Sequence, residues 1–342
     1  MKTLHSMLLC CLMFVALPSS PLRAQQVSPD TAVDDLAQGE FVWEPQASPS
    51  GPVVVLVSLN KQQSFVYRNG ITIGYTLVST GKKGHETPTG VFTILQKDKD
   101  HVSSIYKAKM PYTERLTWSG ICLHAGGLPG YPSSHGCIHL PLEFSHLLFD
   151  IDELGATVVI ADEHSGPAEA AHPALLLSPA IHKSRAAGPL AEFTKFEWQP
   201  ELAPEGPISL LLSTADAKLY VYRNGVEIGV AEVGMLQSDT SLPAGIHTVL
   251  EGLSDKESAF APGRKMHRWM HVATESGGDT LEEDESFLAD RVHIPPLFVE
   301  QIYDLLEPGT TLVITNRAAT PETMSDDDFV IMATHQEEPE AE

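Results

Sequence analysis

The chain repeats itself at long range, and that repeat restricts its architecture more than any other feature. Phe41-Val42-Trp43-Glu44-Pro45 recurs as Phe196-Glu197-Trp198-Gln199-Pro200, and Phe65-Val66-Tyr67-Arg68-Asn69-Gly70 recurs as Tyr220-Val221-Tyr222-Arg223-Asn224-Gly225, both at an offset of 155. Pro88-Thr89-Gly90 returns as Pro243-Ala244-Gly245 at the same offset, and Ile138-His139-Leu140-Pro141 as Val292-His293-Ile294-Pro295 at 154. Solenoid units repeat every 20 to 50 residues or so, whereas a period this long is that of a duplicated domain. Two homologous domains are therefore expected, at 40–162 and 195–317. An Ala-, Pro- and Ser-rich linker at 163–194 joins them.

Each copy has mostly strand character. Val53 to Ser58 is a nearly continuous β-branched run, and Asn69-Gly70 between two apolar segments is a strong hairpin signal. Val91 to Leu95 and Ala156 to Ala161 continue the pattern. Only Pro141 to Glu153 looks helical, with proline in its first turn and Phe144, Leu147, Leu148 and Ile151 at helical spacing. The expected class is mainly β, with one packed helix in each of two domains.

The N-terminus bears on what a cysteine can mean. Lys2, an apolar run from Met7 to Leu17 and Pro18 to Ala24 have the form of a cleavable signal peptide over 1–24. The run is too short to span a bilayer comfortably, so export to the periplasm or beyond is expected, with no membrane span in the mature chain. Only Cys122 and Cys137 would survive cleavage, too few for a disulfide-built fold. Removal of Lys2 and Arg23 takes the formal charge from −23 to −25. Such a surface repels nucleic acid and anionic membranes. Eight acids crowd 318–342, which is expected to be a disordered acidic tail.

The two copies differ where chemistry would be. Ser134-His135-Gly136-Cys137 in the first aligns with Leu288-Ala289-Asp290-Arg291 in the second. The framework is kept and the reactive groups are not, which a purely packing role for His135 and Cys137 does not explain. A thiol near an imidazole, a helix N-terminus or a cation becomes a competent nucleophile. Cys137 lies just before the expected helix, with His124 and His135 as candidate bases. Gly136 permits a tight turn that can aim the N–H groups of Gly136 and Cys137 at a developing oxyanion.

Ser134-His135-Gly136-Cys137-Ile138, with His124-Ala125-Gly126-Gly127 and Thr87-Pro88-Thr89-Gly90-Val91-Phe92 upstream, resembles the catalytic domain of bacterial L,D-transpeptidases (YkuD type) over about 52–162. The resemblance implies a β-sandwich-like fold for both domains, the second being a degenerate copy. It implies that Cys137 attacks a peptide carbonyl of a peptidoglycan stem, releases the terminal D-alanine and passes the acyl group to an amine. Cys137 would be the nucleophile and His124 the proton carrier, its ring oriented by the Ala125 carbonyl. His135 would support the thiolate, while Ser134, Gly136 and His139 would shape the substrate site. The partners implied are peptidoglycan stem peptides, with a wall-attached protein as a further candidate acceptor. No cofactor or metal is expected.

Other readings compete with this one. Water in place of the amine would make the protein a carboxypeptidase or amidase, and loss of activity would leave a wall-binding protein. Zinc is the chemical rival, because Cys122, His124, His135, Cys137 and His139 offer N and S ligands, but their spacing fits no common zinc module. His139 stands where many Gram-negative members have arginine, and its match to His293 in the second copy favours packing over substrate grip. Only 13 residues separate His124 from Cys137, which predicts a trimmed loop and an open cleft. Cys122 shares a strand face with His124, and is expected either to be a buried free thiol or to form a reversible disulfide with Cys137. Trp43 and Trp198 are expected in the core, and the second domain to bind wall material or to cover an exposed face of the first.

Overall fold

The computed structural model describes residues 25–162 and 195–319, except 225, 236–241, 243–244, 273–279, 284, 290 and 317. The expected signal peptide, the linker and nearly all of the acidic tail lie outside the described residues. The fold is mainly β. A seven-stranded sheet in the first half runs Gln25–Gln26, Glu40–Trp43, Ile71–Leu77, Gln63–Arg68, Val53–Ser58, Thr157–Ala161 and Gly90–Thr93. A second sheet of four strands runs Ile138–Leu140, Cys122–Ala125, Lys109–Arg115 and Gln96–Val102. The helix Leu142–Ile151 packs against this smaller sheet, burying Phe144 and Leu148.

The β-branched run at Val53–Ser58 has a physical explanation. Val53, Val55 and Val57 face a core containing Phe144 and Leu148, while Val54 and Leu56 face the opposite way. Val158 and Ile160 alternate with Val159 in the same manner. A strand buried on both faces must be apolar at every position.

The second face is covered by the other half of the chain. Leu211, Tyr220, Tyr222, Ile246, Leu250 and Val313 form one apolar cluster with Val54, Leu56, Phe65, Tyr67, Val91 and Val159. Thr157 and Thr311 join hydroxyls at 2.8 Å inside it, and the Glu251 N–H donates to Asn69 Oδ1 at 2.8 Å. The second half therefore covers the face of the first that would otherwise meet water.

Local geometry repeats between the halves. Asn69 and Asn224 both have φ near +50°, each beside a glycine of positive φ, Gly51 and Gly206. Gly74 and Gly229 lie so close beneath Trp43 and Trp198 that an added Cβ would sit 2.4 Å from either ring. Trp43 and Trp198 meet Phe144 and Phe298 edge to face, Trp43 within the core and Trp198 half-buried against it. The halves part after Thr93, where the chain breaks before Gln96 and starts the smaller sheet. Its counterpart Gly245–Glu257 is one strand of 13 residues, so the second half forms an eight-stranded sheet, accompanied by the short pair Gly234–Met235 and Val292–His293. The polar hairpin Gln96–Arg115, exposed on much of both faces, carries no apolar alternation and was not anticipated as strand.

A buried charge cluster ties this hairpin to the helix. Lys97 Nζ pairs with Asp152 Oδ1 and donates to the carbonyls of Phe149 (2.6 Å) and Asp152 (2.7 Å), placing a cation at the C-terminal end of Leu142–Ile151. Glu114 is buried beside Asp152, and desolvation together with the Asp152 charge and its hydrogen bond raises its pKa well above the usual range. Asp152 is raised as well, by burial. Carboxyls raised in the folded state hold protons that the unfolded chain releases. Their stabilisation is complete below the unfolded values, about pH 4, and is lost as pH rises through the folded ones. Glu114→Gln, which keeps a donor for Asp152, should flatten the decline of the melting temperature with rising pH. Parallel slopes for the two proteins would contradict this assignment.

Candidate active site

Three strand ends and a turn build the site. Ile138–Leu140 pairs in parallel with Cys122–Ala125, Ile138 opposite Leu123 and His139 opposite His124. That register places Cys137 beside Cys122, with their sulfurs 3.1 Å apart and both thiols free. The turn before Cys137 is held from within. Ser134 Oγ donates to the Cys137 carbonyl at 2.5 Å and accepts the Gly136 N–H at 3.0 Å. Gly136 has φ +109°, a conformation that favours glycine.

A second layer fastens this turn to the larger sheet. Thr87 Oγ1 donates to the Gly136 carbonyl at 2.8 Å and accepts the Gly81 N–H at 2.8 Å. Ser79 and His139 exchange backbone hydrogen bonds. Thr87 was legible in the sequence as part of Thr-Pro-Thr-Gly, but its bond to the cysteine turn joins residues 49 apart and leaves no local signal.

His124 is buried next to Cys137. Its Nδ1 lies 2.8 Å from the Ala125 carbonyl, and a carbonyl only accepts, so Nδ1 carries the proton and Nε2 is left for the thiol. Hydrogen bonding from Cys122, and then the neighbouring His124, lower the Cys137 pKa well below its usual value despite burial. Cys122 moves the opposite way, raised by its bond to Cys137 and by desolvation. Of the two thiols, Cys137 is therefore the more readily ionised. The donor atoms of Cys122, His124 and Cys137 lie within 4.8 Å of one another, so these three could also hold a thiophilic cation.

The remaining expected residues take different places. His135 lines the cleft, its ring between those of His85 (4.6 Å) and Tyr106 (4.8 Å). Desolvation and the nearby Lys82 lower its pKa, leaving it neutral at pH 7. His139 packs edge-on to His124 at 4.7 Å and donates from Nδ1 to the Gly127 carbonyl at 3.0 Å. Gly126 lies directly beneath it, where a Cβ would come 2.5 Å from the ring. Burial lowers the His139 pKa, so it offers no fixed charge of the kind arginine would supply. The Gly136 N–H is taken by Ser134 Oγ, and Gly136 is not among the residues that line the cleft. Ser134 is likewise occupied in shaping the turn.

The cleft holds about 700 Å³, and His101, Tyr106, Lys109, Arg115 and Trp118 join the expected residues along it. Sequence reasoning missed these, because they come from the polar hairpin and the turn after it. The arrangement can ionise a thiol, keep one imidazole nitrogen free beside it and admit an extended substrate.

Residues 52–160 match the family model YkuD, the L,D-transpeptidase catalytic domain. They are an L,D-transpeptidase catalytic domain. The curated relative L,D-transpeptidase 1 of Mycobacterium tuberculosis (strain ATCC 25618 / H37Rv) is 27% identical over 125 residues, which cover 32% of this chain and 50% of that protein. The chain thus spans about half the length of the curated relatives it matches. A solved L,D-transpeptidase from Stackebrandtia nassauensis is 27% identical with TM-score 0.31, covering 39% of this chain and 61% of that one. One from Mycobacterium smegmatis is 23% identical with TM-score 0.31, covering 32% and 59%. Cys137, His124 and their supporting turn all fall inside the matched catalytic domain.

Proposed function

We propose that the protein is an exported cysteine acyltransferase that remodels peptidoglycan by L,D-transpeptidation through a thioester on Cys137. The observation that carries this reading is a sulfur of lowered pKa beside an imidazole whose other nitrogen is committed to a carbonyl. His124 Nε2 takes the Cys137 proton, and the resulting thiolate attacks the donor carbonyl carbon. The bond to the terminal residue breaks, and the departing amine takes a proton from His124. The acceptor amine then enters, gives its proton to His124 and attacks the thioester, and Cys137 leaves as thiolate. Lys109 and Arg115 on the cleft wall supply positive charge for the carboxylates of stem peptides.

The second half is a degenerate copy of the first, in which Arg291 replaces the nucleophile and cannot form the covalent intermediate. Its retained sheet supports a covering role, as the shared apolar cluster requires.

Incubating the purified protein with disaccharide-tetrapeptide and weighing the products tests the reading. Cross-linked dimer is expected. Tripeptide without dimer would make the enzyme a carboxypeptidase, and no product would leave a binding protein. His124→Ala should lower transfer by at least about a hundredfold, because the general base is lost. Full activity in a folded His124→Ala protein would remove His124 from the mechanism.

A further inference from the structure

Trp118 has a position that catalysis through Cys137 does not account for. It is 65% exposed, more than any other large apolar side chain among the described residues. The turn that presents it is firmly held. Thr117 Oγ1 accepts the N–H groups of Gly120 (3.1 Å) and Ile121 (2.9 Å) and bonds the Ser119 hydroxyl at 2.9 Å. The Gly120 carbonyl of this same turn lies 3.4 Å from Cys137 Sγ. The turn that carries this exposed indole thus also touches Cys137.

Trp118 also lies between two hollows. On one side is the catalytic cleft, and on the other a groove of about 350 Å³ between the two halves of the chain. Leu154, 63% exposed, lines that groove together with Ser209 and Asn224 from the second half. The two hollows differ in charge. The cationic side chains Lys109 and Arg115 line the cleft, whereas no charged side chain lines the groove. A cationic cleft suits carboxylate-bearing peptide. An uncharged groove with apolar faces and neutral hydrogen-bonding groups suits a polyol, whose C–H faces pack on an electron-rich ring while its hydroxyls find amide and hydroxyl partners.

We infer that Trp118 and the groove between the halves form a subsite for neutral saccharide, which holds the glycan of the substrate while its peptide enters the cleft. This deepens the peptidoglycan reading and rests on it. It also gives the second half a part in binding, since Ser209 and Asn224 form the far wall.

Binding and turnover separate the two ideas. The full chain carrying Cys137→Ser is titrated calorimetrically with peptide-free glycan strands, with and without Trp118→Ala or Trp118→Phe. Trp118→Ala should weaken binding roughly tenfold and Trp118→Phe less, as expected for loss of an aromatic face. Equal affinity in all three proteins, or no binding by the parent, overturns the subsite. With Cys137 intact, the ratio of kcat/KM for disaccharide-tetrapeptide over free tetrapeptide should fall by a similar factor in Trp118→Ala, while a carbapenem adduct on Cys137 reports that the site is folded. An unchanged ratio also overturns the subsite. No product from either substrate, with glycan still bound through Trp118, overturns the transferase reading and leaves the subsite standing.

Discussion

The full chain treated with a carbapenem should gain the mass of one adduct, located on Cys137, and Cys137→Ser should gain none. A β-lactam carbonyl is opened by attack of a thiolate, and the two sulfurs of this site differ sharply in their ability to supply one. Cys137 is half-buried, lines the cleft and has its pKa lowered by Cys122 and His124. Cys122 is 3% exposed and its pKa is raised. The thiolate and the access both belong to Cys137. Because the lowered pKa keeps Cys137 ionised, acylation should persist well below the pH at which an ordinary thiol, with a pKa of about 8.5, would be protonated. An adduct on Cys122, or none on folded protein, would assign the nucleophile elsewhere.

The second large effect concerns the same pair. Oxidised glutathione should join Cys122 to Cys137 and abolish carbapenem acylation, dithiothreitol should restore it, and Cys122→Ala should not form that bond. Cys137 thiolate attacks the small disulfide and displaces one glutathione thiolate. Cys122 then loses its proton and attacks Cys137 Sγ, releasing the second glutathione. The register already places the two side by side on neighbouring strands, which are about 4.8 Å apart, within the Cα separations that disulfides bridge. The sulfurs stand at 3.1 Å, so closure needs little movement. The raised pKa of Cys122 makes the second step the slow one, so a glutathione mixed disulfide on Cys137 should accumulate first. If peptide mapping after prolonged oxidation finds only that mixed disulfide, the pair does not close. Both thiols are free in the structure, as the simpler sequence expectation had it, yet they stand in the geometry on which the alternative depended.

Much of the architecture was legible because it is written in local pattern. The Asn69-Gly70 hairpin, the helix at Leu142–Ile151 and the strands Val53–Ser58 and Thr157–Ala161 all follow from short-range periodicity and turn chemistry. The same offset of 155 separates Gly74 from Gly229, the glycines beneath Trp43 and Trp198, a pairing that only the structure brought out. Gln96–Val102 and Lys109–Arg115 escaped notice for the converse reason: both are polar strands without apolar alternation, and what they bury, such as Glu114, is set by contacts with the helix. The cysteine and its histidine were identifiable from residue type, spacing and the contrast with the second copy.

The sequence by itself determined which residues could react, because nucleophilicity, basicity and turn-forming capacity belong to residue types and to short spacings. Only the tertiary structure decided what each of them does. It committed the Gly136 N–H to Ser134, turned His139 into a packing partner of His124 and placed Cys122 against Cys137. It also set Trp118 at the junction of two hollows and laid one half of the chain over the other. These outcomes depend on contacts between segments far apart in the chain, whose distances and desolvation fix protonation and hydrogen-bond partners, and no local pattern encodes them.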